Sequence, residues 1–218
     1  YLRQNINPVD ILTSGNKWLN HVRSRRNLYE NHLGIPTCWF KGKKILEFGP
    51  NGAENSLILA SNGALITLVE PRREMHARIN KLFTDKLLID NLIKIDPKLL
   101  ESYKDNSQYD LVIAEGFLNI LPDRPSAIQK LCTFSSNFVV FSIIEKHGYF
   151  FESFKRCLIR RLIEINYLND SDWVKIIDLA QRLFLSSYKK LGSARTFDSW
   201  VKDVLLNPCG TSKSFNSF

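Results

Sequence analysis

Lys44-Ile45-Leu46-Glu47-Phe48-Gly49-Pro50-Asn51-Gly52-Ala53-Glu54 is the stretch on which the reading of this chain turns. Ile45, Leu46 and Phe48 suit a short buried strand, and Gly49-Pro50-Asn51-Gly52 is a turn that can continue neither strand nor helix. A helical pattern then runs from Ala53 to Ser61 with Leu57, Ile58 and Ala60 apolar, and Asn62-Gly63 stops it. In an open parallel sheet, ligands bind outside the carboxyl ends of the strands where the chain order reverses, so the exit of this strand is the place to look. Gly49 allows a sharp turn and a close ligand approach with no Cβ in the way. Asn51 and Gly52 both tolerate positive φ, and the following helix presents free backbone N–H groups.

The same alternation extends outward. Ala64 to Val69 reads as a strand ending at Glu70-Pro71, and Arg72 to Phe83 as a helix that Pro71 opens. Asn91 to Ile95 is a third strand ending at Asp96-Pro97, followed by a short helix over Lys98 to Tyr103. Tyr109 to Ala114 is a fourth strand, Pro122 to Phe134 a helix, and Asn137 to Ile144 a fifth strand. Strands and helices alternating at this spacing predict an α/β fold, a Rossmann-like, doubly wound, mostly parallel sheet joined by right-handed crossovers.

Helices flank this core. Trp18, Leu19, Val22, Tyr29 and Leu33 predict a leading helix over 16–33, closed by Gly34 and Pro36. After Glu145, the stripe Phe151, Phe154, Leu158, Leu162 and Ile165, then Trp173 to Leu185 and Phe197 to Leu206, predict helices. Residues 210–218 read as a loose tail. The expected organisation is an N-terminal helical cap over 1–40, a cofactor-binding core over 41–145, and a helical C-terminal region over 146–218 that serves as lid or acceptor side.

The loop chemistry separates two nucleotide families. A dinucleotide site wants Gly-x-Gly-x-x-Gly, so that backbone and helix dipole meet a pyrophosphate. Here those positions hold Gly49, Asn51 and Glu54, and an acid in the first helical turn repels a pyrophosphate. Glu47, two residues before the glycine, suits a cationic ligand. Ile45 to Ala53 resembles the first motif of class I S-adenosylmethionine-dependent methyltransferases, an acid followed by x-Gly-x-Gly-x-Gly. Glu47 and Gly49 match, while Asn51 and Ala53 stand where further glycines are usual. That resemblance covers roughly residues 40–145, and Glu115-Gly116-Phe117-Leu118-Asn119-Ile120-Leu121-Pro122-Asp123 resembles the small-molecule branch of the family.

The resemblance implies S-adenosylmethionine as cofactor, held by Glu47, Gly49, Pro50, Asn51, Gly52, Glu70, Asp96 and Glu115. Glu70 matches the acid that accepts both ribose hydroxyls, a bidentate task needing a carboxylate. Asp96 matches the acid that meets the adenine amino group, and Tyr109-Asp110-Leu111-Val112 the fourth-strand motif. Many members carry a His pair where Asn119 and Ile120 stand, so no general base is named. The family also adds two strands after the fifth, and 146–206 reads helical instead.

The net charge of +8 is unevenly divided: five Lys/Arg against two Asp/Glu over 1–40, thirteen of each over 41–145, and twelve against seven over 146–218. Basic flanks around a neutral core fit a small-molecule acceptor with an anionic group. Cys38, Cys132, Cys157 and Cys209 are scattered without CxxC or zinc spacing, which fits a reducing, cytoplasmic setting and no metal. No apolar run approaches the ~20 residues of a membrane-spanning helix. The chain begins at Tyr1 with no secretory signal pattern, which reads as a fragment or a processed start. Two alternatives stay open: an NAD(P)-dependent oxidoreductase or epimerase, and a non-catalytic nucleic-acid-binding module, the latter lacking the interleaved aromatic and basic residues expected of it.

Overall fold

The computed structural model describes residues 15–118, 121–143, 146–169, 171–190 and 196–206. These fall into two compact units, one within 12–143 and one within 144–218.

The first unit opens with α1 (Gly15–Asn27), which runs on into a wider helical turn over Leu28–His32. There follow β1 (Lys44–Phe48), α2 (Glu54–Ser61), β2 (Leu65–Val69), α3 (Arg73–Asp85), β3 (Leu92–Asp96), β4 (Tyr109–Ala114), α4 (Arg124–Thr133) and β5 (Ser135–Phe141). The strands form one sheet in the order β3-β2-β1-β4-β5, and every pairing is parallel. The order reverses between β1 and β4, so the crevice sits above those two strands' carboxyl ends.

Strand alternation builds a core on each face. Ile45, Ile66, Leu68, Leu111 and Ile113 point to one side, where Leu57 of α2 and Met75, Ile79 and Phe83 of α3 cover them. Tyr29 and Phe40, in edge-to-face contact at 5.1 Å, complete that layer. Leu46, Phe48, Val69, Val112 and Ala114 point to the other side, against Ala127 and Leu131 of α4 and against Tyr103 and Phe134. Burying a side chain such as Phe48, which is 1% exposed, is worth roughly 2 kcal/mol, and Ile45 and Leu46 of β1 contribute in the same way. Glu47 falls on the α2 side and is the one carboxylate in that strand.

Boundaries differ from the sequence expectation where turn chemistry intervenes. The region Lys98 to Tyr103 holds only a single tight turn over Leu100–Ser102, because Leu99 and Tyr103 on either side are extended. β5 starts at Ser135, two residues earlier than expected, and its pairing with β4 shifts register between Tyr109 and Leu111. α4 starts at Arg124, capped by the Asp123 carboxylate accepting from the Ser126 N–H at 3.0 Å.

The regular elements among the second unit's described residues are helices: α5 (Lys146–Ile165), α6 (Trp173–Lys190) and α7 (Phe197–Trp200), the last running into a turn over Val201–Leu205. Its own core joins Ile159, Ile177, Ala180, Phe184, Trp200, Val201 and Leu205. Asn119, Ile120, Glu145, Cys209 and the tail 210–218 lie outside the described residues. Among the described residues no helix is long and apolar enough to cross a membrane.

Candidate functional site

The loop from β1 to α2 makes three left-handed steps: φ is +65° at Gly49, +55° at Asn51 and +61° at Ala53. These alternate positions are where the resembled motif places its glycines, so Asn51 and Ala53 adopt the glycine conformation at a cost that glycine avoids. A Cβ on Gly49 would stand 3.2 Å from the Phe117 ring, which closes the loop from the β4 side. Gly52 is constrained differently, since a Cβ there would lie 2.4 Å from either oxygen of the Glu54 carboxylate. Glu54 is 3% exposed and ion-paired with Arg78 at 3.0 Å. A buried carboxylate thus stands against the loop at Gly52, an unfavourable neighbour for a pyrophosphate.

Four acids line the carboxyl edge of the sheet. Phe48 pairs with Val69, Val69 with Asp96, and Glu47 with Ile113, which puts Glu47, Glu70, Asp96 and Glu115 at neighbouring strand ends. Glu47, Glu70 and Asp96 are each only 3% exposed. Glycine 49's N–H donates to Val69 O at 2.9 Å and the Glu70 N–H to Asp96 O at 2.9 Å, extending the ladder past the strands and fixing the exits.

The surroundings of these acids differ. Glu47 accepts a hydrogen bond from the Ser56 hydroxyl of α2. Burial pushes its carboxyl up to about 7; the Ser56 hydroxyl opposes that, the neighbouring Glu115 adds to it, and Arg25 opposes it. Glu70 accepts from the Asn51 N–H at 3.1 Å on one oxygen, and from the Arg72 N–H at 3.0 Å and Arg72 Nε at 3.1 Å on the other. Arg72 also donates to Asn51 Oδ1. Asp96 holds Lys94 at 2.8 Å through Oδ2, while its Oδ1 is buried with no hydrogen-bond partner.

Glu115 is gripped by Arg25 of α1 through two bonds of 2.6 and 2.8 Å, and Arg25 also donates to the Tyr29 hydroxyl at 3.1 Å. The Arg25 Nε is likewise buried without an acceptor. One turn earlier His21 meets Asn55 of α2 at 2.9 Å, and burial lowers its pKa. The leading helix thus brings a guanidinium to the crevice between β1 and β4.

All eight sequence-derived site residues, Glu47, Gly49, Pro50, Asn51, Gly52, Glu70, Asp96 and Glu115, therefore lie along one sheet edge. Asp110, from the fourth-strand motif, lies at the opposite end, where it accepts from Lys43 Nζ at 3.0 Å and the Lys44 N–H at 2.9 Å and ties β4 to β1. Sequence reasoning passed over Arg25, Ser56 and Arg72. Arg25 broke the apolar stripe of its helix, which was the available signal; Arg72 stands two residues after Glu70, close enough to fold back on it.

No family model and no curated protein matches the chain in sequence. Solved structures do match in fold. Magnesium protoporphyrin IX methyltransferase from Synechocystis PCC 6803 aligns in its S-adenosylhomocysteine-bound form at a TM-score of 0.51 and 15% identity, covering 73% of this chain and 72% of that one. Its S-adenosylmethionine-bound form aligns at 0.50 and 18%, covering 59% of this chain and 61% of that one, so the match spans about three fifths of that enzyme. The N-methyltransferase NodS from Bradyrhizobium japonicum WM9 aligns at 0.43 and 13%, over 59% of this chain and 62% of that one. The fold is that of class I methyltransferases.

Proposed function

We propose that the chain is an S-adenosylmethionine-dependent methyltransferase that methylates an N or O atom of a small molecule carrying an anionic group. The observation that carries the reading is the row of buried acids ending in the unpartnered Asp96 Oδ1, set beside a loop whose Glu54 excludes a pyrophosphate. A buried acceptor without a donor is costly, and an amino group offered at that position removes the cost. Glu70 suits a vicinal diol, Glu47 and Glu115 an ammonium, and the Arg25 guanidinium a carboxylate. S-adenosylmethionine carries all four groups and no phosphate.

When bound, that cofactor supplies an electrophilic methyl carbon on a sulfonium. The chain's own contribution is to hold the two ends of the ligand at a fixed separation and to keep water from the crevice. No covalent nucleophile is needed, and no general base is assigned. The acceptor's anionic group is inferred from the flanks, +3 over 1–40 and +5 over 146–218, and acceptor recognition is assigned to those helical regions. The like-folded Synechocystis enzyme is described as acting on magnesium protoporphyrin IX, which keeps a small molecule as the acceptor class. A cytoplasmic setting accords with Cys38, Cys132 and Cys157 being free and exposed.

Isothermal titration with S-adenosylhomocysteine, beside NAD and beside Glu70→Ala, tests the reading. Micromolar binding of the methyl-transfer product, lost in the variant and absent for NAD, supports it. A folded chain that binds no S-adenosylhomocysteine sinks it.

A further inference from the structure

The geometry points to Arg72 as a positioning residue that orients Glu70 toward a ribose diol and is itself anchored by the Asn51 side chain. The inference rests on the reading of the site as one for S-adenosylmethionine. Three residues close a ring. The Asn51 N–H meets one Glu70 oxygen at 3.1 Å, Arg72 Nε meets the other at 3.1 Å, and Arg72 Nη2 returns to Asn51 Oδ1. The ring joins two strand exits that are far apart in sequence, and its members are well buried, with side chains 11% exposed for Arg72 and 4% for Glu70.

The chemistry follows from the donor and acceptor inventory. A carboxylate has about four lone-pair directions, and three of Glu70's are already taken by N–H donors. One direction on the Asn51-bonded oxygen is open to a hydroxyl. The second hydroxyl meets the other oxygen by sharing it with Arg72 Nε or by displacing that bond. Because Nη2 also holds Asn51, Arg72 can yield the Nε bond without leaving the site. The plane of the carboxylate is therefore set before the ligand arrives, with one oxygen open to the first hydroxyl and the other reached by the second once Arg72 Nε shares or yields its bond. A glycine at position 51 would turn the loop equally well, but it would give Arg72 no side-chain anchor.

The test compares S-adenosylhomocysteine with its 2′-deoxy and 3′-deoxy analogues on the whole chain. In the wild type the full diol binds far more tightly. In Arg72→Met the preference for the diol falls by roughly tenfold, the loss of one charge-assisted hydrogen-bonding arrangement, while the deoxy analogues bind nearly as before. Arg72→Lys, whose point charge cannot serve Glu70 and Asn51 in one plane, recovers little of the preference and provides a second variant should Arg72→Met fold poorly.

Equal weakening of all three ligands would make Arg72 a merely structural residue, and tighter binding of S-adenosylhomocysteine in Arg72→Met would make it a competitor for the site; either overturns the proposal. A ligand-free readout separates this from the function itself. The denaturation midpoints of wild type, Asn51→Gly, Arg72→Met and the double variant are expected to be non-additive, with Arg72→Met costing less once Asn51 is glycine. Additive midpoints would refute the clamp even if the cofactor binds. A wild-type chain that binds no S-adenosylhomocysteine would bring down the cofactor reading, and the ribose role with it.

Discussion

Glu47 and Glu70 leave adjacent strands, are equally buried, and are held in opposite ways. Glu70 is surrounded by N–H donors from Asn51 and Arg72, which fix its plane for neutral hydroxyls. Glu47 has the Ser56 hydroxyl, two neighbouring acids and Arg25 around it, and burial raises its pKa to about 7. One acid is held in place by three N–H donors; the other, on the proposed reading, is completed by a cation. The proposed ligand meets both, with neutral hydroxyls at one end and an ammonium at the other, and the carboxyl edge of the sheet offers the two environments because each strand exit carries its own local partners.

The comparison breaks most visibly at Glu70. Glu70→Ala is expected to weaken S-adenosylhomocysteine by about 100-fold, since a bidentate, charge-assisted contact is worth on the order of 3 kcal/mol. It should weaken 5′-methylthioadenosine, which has the ribose but no amino-acid end, by a similar factor. Calorimetry with both ligands checks this, and unequal losses would place the diol elsewhere. Arg25→Met is expected to cost about tenfold for S-adenosylhomocysteine, the value of one partly screened carboxylate contact, and nothing for 5′-methylthioadenosine. If both ligands weaken, Arg25 acts through the fold and not through the amino-acid end.

Glu47 sharpens the same comparison through pH. Its folded pKa of about 7 lies above the ordinary 4.5, so the folded chain keeps a proton that the unfolded chain releases. The associated stability is complete below about pH 4.5 and is lost as pH rises through about 7. The ammonium of a bound ligand needs the ionised form, so affinity for S-adenosylhomocysteine should rise between pH 5.5 and 7.5, by up to about a factor of ten per unit below the pKa. Glu47→Gln is expected to flatten both the stability profile and the affinity profile. Retained pH dependence in that variant would rule out Glu47 as the titrating group.

Much of this was legible in the residues. Strand exits announce themselves by an apolar run meeting Gly49-Pro50, Glu70-Pro71 and Asp96-Pro97, because proline and glycine stop a strand whatever packs around it. The acids were visible for the same reason. What the sequence could not show is which partners they take, since that depends on contacts between residues far apart in the chain: Arg25 reaching Glu115, Ser56 reaching Glu47 and Arg72 reaching Asn51. Asp110 illustrates the converse, because its motif position was legible while its role as a tie between Lys43 and the start of β1 was not. The short helix expected over Lys98 to Tyr103 shrank to one turn because extended backbone at Leu99 and Tyr103 overrode local propensity.

The smallest effect is expected at Ala53, where two terms of opposite sign nearly cancel. Its φ of +61° costs an alanine about 1–2 kcal/mol that a glycine would not bear. Its methyl group is fully buried in the core that also holds Leu57 and Ile79, and removing it forfeits about 0.8 kcal/mol of burial, with a further half kcal/mol or so of backbone entropy for the glycine. Ala53→Gly should therefore change the unfolding free energy by less than about 1 kcal/mol in urea titration and leave ligand affinity unaltered. A loss well beyond that would show that the third left-handed step is kept for packing on α2. A clear gain would show that the loop is strained there, and that the glycine of the resembled motif is the better residue for this backbone.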